Sequence, residues 1–131
     1  MRVAGLTRKI RVFACARDAS ARLRQIRDIA ASSDRPEARF CWSDLDAIPL
    51  LAEARSAGVR VPEDLAIIGF DNSPTAQLAP NDLVSIDQSA NKLGEIATQT
   101  LMSRIKGRTD PLHLEIDPTP VPRGSLGTVD R

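Results

Sequence analysis

The chain has 131 residues, enough for one domain with a real core and too few for two independent ones. Apolar residues make up 42% and charged residues 27%, as in ordinary soluble proteins, while aromatics are scarce at 3% with no Tyr, which argues against a base-stacking surface for single-stranded nucleic acid. The net charge of +1 conceals a basic head: residues 1–39 carry ten Lys/Arg against four Asp/Glu, and residues 40–131 carry eight against thirteen. The head has no helix-turn-helix or zinc-binding pattern and its arginines recur at helical spacing, so it reads as a solvated basic helix face.

In chain order, Lys9–Cys15 (KIRVFAC) is β-branched and apolar enough for a strand. Asp18 or Ser20 can cap the following helix, which runs to about Ala31 with Leu23, Ile26, Ile29 and Ala30 on one face. Ala38–Trp42 (ARFCW) forms a short second strand. The next helix contains Pro49, which is tolerated near a helix start and costs about 3 kcal/mol further in. That places the N-cap at Asp46, the helix at Ala47–Ala57, and Gly58 as its left-handed stop. Leu65–Phe70 (LAIIGF) lacks polar alternation and reads as a parallel strand buried on both faces. Leu83–Gln88 (LVSIDQ) is another strand. Ser89 then caps a long helix with the stripe Leu93, Ile96, Ala97, Leu101 and Ile105, ended by Gly107. Leu112–Ile116 (LHLEI) alternates as an edge strand would, and the tail PTPVPRGSLGTVDR is too rich in Pro and Gly for a regular element. The succession predicts an α/β domain, 1–131, with a mostly parallel sheet and flanking helices.

The sequence offers little catalytic chemistry. His113 is the sole histidine, and its strand context makes it an exposed residue rather than a general base. Cys15 and Cys41 sit in apolar runs as buried free thiols, and with one His they cannot assemble a usual zinc site. There is no P-loop, no G-x-G-x-x-G and no nucleophile elbow. No hydrophobic run approaches the roughly 18 residues of a membrane helix, and the amino terminus lacks a signal-peptide core, so a cytoplasmic protein without membrane contact is expected. The expectation is a protein that is not an enzyme, with no metal and no cofactor.

A string of motifs is more specific. SD at 43–44, G-x-R-V-P-E-D at 58–64, IIGFDNSP at 67–74, a proline at 80 ahead of a strand ending in Gln88, LGEIA at 93–97 and VPRGS at 121–125 stand in an order that resembles the ligand-sensing domain of the LacI/GalR family of bacterial transcription regulators. The resemblance is strongest over residues 38–127. It implies one lobe, the C-terminal effector-binding and dimerisation lobe, of a periplasmic-binding-protein-like fold in which two lobes enclose an effector. It also implies a truncated form: DNA would be reached only through a helix-turn-helix domain absent here, and a strand-plus-helix unit is missing before ARFCW.

The same resemblance assigns the site. Asp44 matches an aspartate that hydrogen-bonds the effector, a sugar or purine-like small molecule. A carboxylate at a strand end suits such hydroxyls or ring edges. Arg24 aligns with an effector-clamping arginine, with a solvated helix arginine as the alternative, and Trp42 is either an apolar platform in the pocket or a core residue. Gln88, Ser89 and Ala90 correspond to a crossover between lobes. Leu50, Leu51 and Ala54 lie on a helix that pairs lobes in a homodimer. The segment around Asp71 is read as scaffold. Half a cleft implies effector affinity no tighter than roughly millimolar. The competing reading is a fragment of a periplasmic-type solute (sugar) binding protein, which would need export.

Overall fold

A computed structural model of the chain describes residues 11, 12, 14, 18–78 and 80–127. Of the strand expected at Lys9–Cys15 only residues 11, 12 and 14 are described, and these are not in a strand; Cys15 lies outside the described residues. The elements in order are α1 (Ala19–Ala31), β1 (Ala38–Phe40), α2 (Asp44–Ser56), β2 (Ala66–Phe70), α3 (Pro74–Gln77), β3 (Val84–Asp87), α4 (Ala90–Ile105) and β4 (Thr119–Val121). One four-stranded sheet has the order β1-β2-β3-β4, with β1, β2 and β3 parallel and β4 antiparallel to β3. The described residues therefore form a single α/β lobe, mostly parallel, as the sequence predicts.

The strand order explains which face is covered. Each parallel step, β1 to β2 and β2 to β3, moves the same way across the sheet, and right-handed crossovers then put their connections on one face. On that face α2 packs on β2 and α1 on α2. Ile26, Ile29 and Ala30 of α1 join Leu50, Leu51 and Ala54 of α2, together with Leu65, Ile67 and Leu83, in one core. Alternation turns Ile67 and Gly69 toward α2 and Ala66, Ile68 and Phe70 away from it. The latter three are half-buried, and Phe70 meets the exposed Phe40 edge-to-face at 6.5 Å. So β2 is packed on one face and half-open on the other, rather than buried on both.

Several local expectations change for physical reasons. Helix α2 begins earlier than Asp46, because Ser43 takes an extended backbone and accepts from the Leu45 amide. That cap leaves Pro49 inside the helix. The carbonyl deprived of its donor belongs to the exposed Leu45, while Leu50, Leu51 and Ala54 gain the core. Asp18 rather than Ser20 caps α1, accepting from the Ala21 amide at 2.7 Å. Gly58 does end α2 with φ 76°. Ser89 precedes α4 in a left-handed conformation (φ 57°) and makes no side-chain cap. Residues 112–116 are irregular, and among the described residues no strand edge pairs with them. The Pro-rich tail instead supplies β4, where Val121 aligns with Ser85 and Thr119 with Asp87.

Beyond β4, Ser125 locks the sheet. Its buried hydroxyl donates to the Ile67 carbonyl at 2.6 Å and accepts from the Val84 amide at 2.9 Å. Its own carbonyl receives the Ile67 amide. At the opposite end of β2, Arg60 closes a turn by giving its backbone amide and guanidinium to Asp64, whose carboxyl is thereby held down at about 2.

The candidate effector site at the strand ends

Three parallel strands end together, at Cys41–Ser43, Asp71–Ser73 and Asp87–Ser89. In an open α/β sheet this carboxyl edge is where ligands bind. Two aspartates there have opposite fates. Asp44 opens α2 and is 1% exposed. One of its carboxylate oxygens accepts from the Ser73 amide and the other from the Ser85 hydroxyl, each at 2.7 Å. It points into the sheet at Gly69, where a Cβ would stand 2.1 Å from Asp44 Oδ1. Gly69 is what lets this carboxylate lie against the strand.

Asp71 is half-buried at the rim. Its Oδ2 accepts from the Ser43 hydroxyl at 3.0 Å and its Oδ1 from the Gln88 side-chain amide at 2.8 Å. One carboxylate thus gathers the ends of β1, β2 and β3. A carboxylate has about four acceptor positions, so two remain for a ligand. Asp71 and Asn72 hold φ values of 100° and 49°, a strained pair of non-glycine residues of the kind that clusters at ligand sites. The contact that the sequence assigned to Asp44 is therefore geometrically open to Asp71, while Asp44 is turned inward to hold the loop.

Below this rim, Ser85 Oγ accepts from the Asn72 amide while donating to Asp44. Asn72 donates through Nδ2 to Asp87 at 3.0 Å. The Asp87 carboxyl lies below its ordinary value because the Ser89 amide, and then Asn72, bond its charged form.

The other predicted site residues scatter. Trp42 is 69% exposed and so not core; its indole N–H bonds Asp46, which fixes the ring beside the strand ends. Arg24 is exposed on α1 and donates to Ser20 of its own helix. The α1 arginines that pair with α2 are Arg22, 3.4 Å from Asp46 Oδ1, and Arg27, 3.2 Å from Glu53 Oε2. At Gln88–Ala90 the chain leaves the sheet for α4. Leu50, Leu51 and Ala54 are buried in this chain's own core and have no surface to offer a second copy, which corrects the dimer contact expected of them. A concavity of about 270 Å³ at the end of α1 lies among Arg11, Asp28, Asp34 and Arg35. Its charges partly neutralise one another, with Arg11 bonded to the Asp34 carboxylate and carbonyl, and we prefer the strand-end rim as the site.

A periplasmic binding protein-like domain model matches residues 1–126. The chain belongs to the periplasmic binding protein-like domain family. Within that family its likeness is to LacI-type regulators. It is 38% identical over 97 residues to the HTH-type transcriptional repressor PurR of Photobacterium profundum, covering 73% of this chain and 29% of the repressor. A solved LacI-type transcription regulator from Bifidobacterium animalis subsp. lactis superposes with TM-score 0.72 at 31% identity, over 81% of this chain and 38% of that one. The transcriptional regulator CelR, solved as a complex with cellobiose, gives TM-score 0.70 at 34% identity, over 80% and 32% of the two chains. These relatives are named as regulators, not enzymes. The chain spans about 30% of the length of the curated relatives it matches. No helix among the described residues of this domain is long and apolar enough to cross a membrane.

Proposed function

We propose that this domain is the effector-sensing lobe of a LacI-type regulator and that its ligand, a neutral polyhydroxylated molecule or a purine base, docks on the strand-end rim. The observation that carries this reading is the Asp71 carboxylate, which ties Ser43 and Gln88 from the neighbouring strand ends and uses two of the roughly four acceptor positions a carboxylate has. Asp71 is the ligand-facing acid, Asp44 its buried support and Trp42 the apolar platform beside it. With Asp71 and Asp87 both acceptors, the rim favours ligands rich in O–H or N–H donors and repels anions. Gln88–Ala90 is the passage by which the chain leaves this lobe. Operator recognition would belong to other parts of a whole regulator. The CelR complex with cellobiose and the likeness to PurR support the two ligand classes.

The test is an amide NMR titration with cellobiose, glucose and hypoxanthine at roughly millimolar concentrations, the range of weak single-lobe contacts. One of these ligands should shift Ser43, Asp71, Asn72 and Gln88 together, and Asp71→Ala should abolish the response. Shifts elsewhere that survive Asp71→Ala, or no response to any of the three, would remove the assignment.

A further inference from the structure

Arg123 follows β4 and is half-buried, far along the chain from the loop it reaches. Its Nη1 donates to the Leu83 carbonyl at 2.6 Å, and its Nη2 donates to the Asn72 side-chain oxygen at 2.7 Å. On the other side of the same carboxamide, Asn72 Nδ2 donates to Asp87 Oδ2 at 3.0 Å. Asparagine can in general be turned over, exchanging its oxygen and nitrogen. Here both neighbours forbid it. A guanidinium has donors and no acceptor, and an ionised carboxylate has acceptors and no donor. Turning the amide over would set N–H against N–H and oxygen against oxygen.

We infer that Arg123 is a positioning residue for the strand-end rim: by holding the Asn72 carboxamide oxygen, it helps fix an N–H donor, never a carbonyl, beside the Asp87 acceptor. The inference deepens the proposed effector site and rests on that reading for its consequence in binding. The orientation itself does not depend on any ligand. Asn72 then presents its second N–H, which Asp87 does not use, to whatever sits on the rim. A ligand hydroxyl can accept from that N–H. A ligand offering only acceptors would meet two carboxylates. Arg123 thus acts on specificity through Asn72 without touching the ligand itself.

The test uses Arg123→Met, which keeps length and loses all donors, Arg123→Lys, which keeps one charged donor in place of the fork, and Asn72→Ala. Without ligand, the paired Asn72 side-chain N–H signals should move toward those of a free amide in Arg123→Met. The Asp87 carboxyl, followed by carbon-detected titration, should rise in Arg123→Met and Asn72→Ala alike. Arg123→Lys keeps an anchor for Leu83 and so guards against loss of folding; its Asn72 signals should move as well. Unchanged Asn72 signals in a folded Arg123→Met or Arg123→Lys protein would overturn the positioning role, whether or not a ligand is ever found. With cellobiose or hypoxanthine, Asn72→Ala should weaken binding about tenfold, Arg123→Met by less because Asp87 still holds the Asn72 N–H, and the double variant no further than Asn72→Ala, because Arg123 acts through Asn72. A double variant weakened by the product of the two would show that Arg123 acts elsewhere. If Asn72 and Asp87 respond as expected and the wild-type protein binds neither ligand class, the orientation stands and the effector reading falls.

Discussion

Helices α2 and α4 both carry apolar side chains and meet opposite environments. On α2, Leu50, Leu51 and Ala54 are buried against the sheet and α1. On α4 no residue is buried, and Leu93, Met102, Leu101 and Ile105 remain between 46% and 69% exposed. Leu112 and Leu114, which follow it, are exposed as well. The difference lies in topology rather than in composition. The β1-α2-β2 crossover lays α2 across its own strands, whereas α4 departs from β3 at a left-handed Ser89 and packs closely on no strand among the described residues. Periodicity states that a helix has a face to bury; only connectivity says whether this chain buries it.

Three measurements probe that contrast. Leu50→Ala should cost about 2–5 kcal/mol in denaturant-melt stability, the loss typical of a closely packed leucine. A value under about 1 kcal/mol would mean that the α2 face is as idle as that of α4. Gly69→Ala should cost about 1–3 kcal/mol by overpacking, since the new Cβ runs into Asp44. Much of that penalty should vanish in an Asp44→Ala background, and full additivity in the double-mutant cycle would place the clash elsewhere. Leu101→Ser, on the exposed stripe, should stay within about 0.5 kcal/mol of wild type. A loss like that of Leu50→Ala would show α4 to be packed, and the comparison would collapse.

The sheet core was legible because its signals are local: the capped α1, the Gly58 stop, the apolar run of β2, and the strand ending near Gln88. Pro49 misled by one turn, because the strong Ser43 cap and the burial of Leu50 and Leu51 outweigh the lost hydrogen bond. Leu112–Ile116 alternates like a strand, yet a strand exists only where an edge accepts it. The rim was harder to read. Sequence order marks Asp44 and Asp71 alike as acids at strand ends, and nothing in their neighbours says which turns inward. Gly69, two residues before Asp71, held a clue, for a glycine inside an apolar strand marks a close approach, here that of Asp44. Arg22, rather than Arg24, reaches α2 because of a rotation of one helix on another that spacing alone leaves free.

Ser125 has a consequence for the order in which the protein can be finished. Its hydroxyl joins Val84 and Ile67 across 41 and 58 residues of chain. During synthesis the amino-terminal part emerges first, so β2 and β3 wait beside one another without their fastener until almost the whole chain has left the ribosome. A stop codon shortly before residue 125 would therefore remove more than a tail. It would leave a carbonyl of β2 and an amide of β3 unanswered in the centre of the sheet, and such a nascent chain is a natural client for chaperones and proteases.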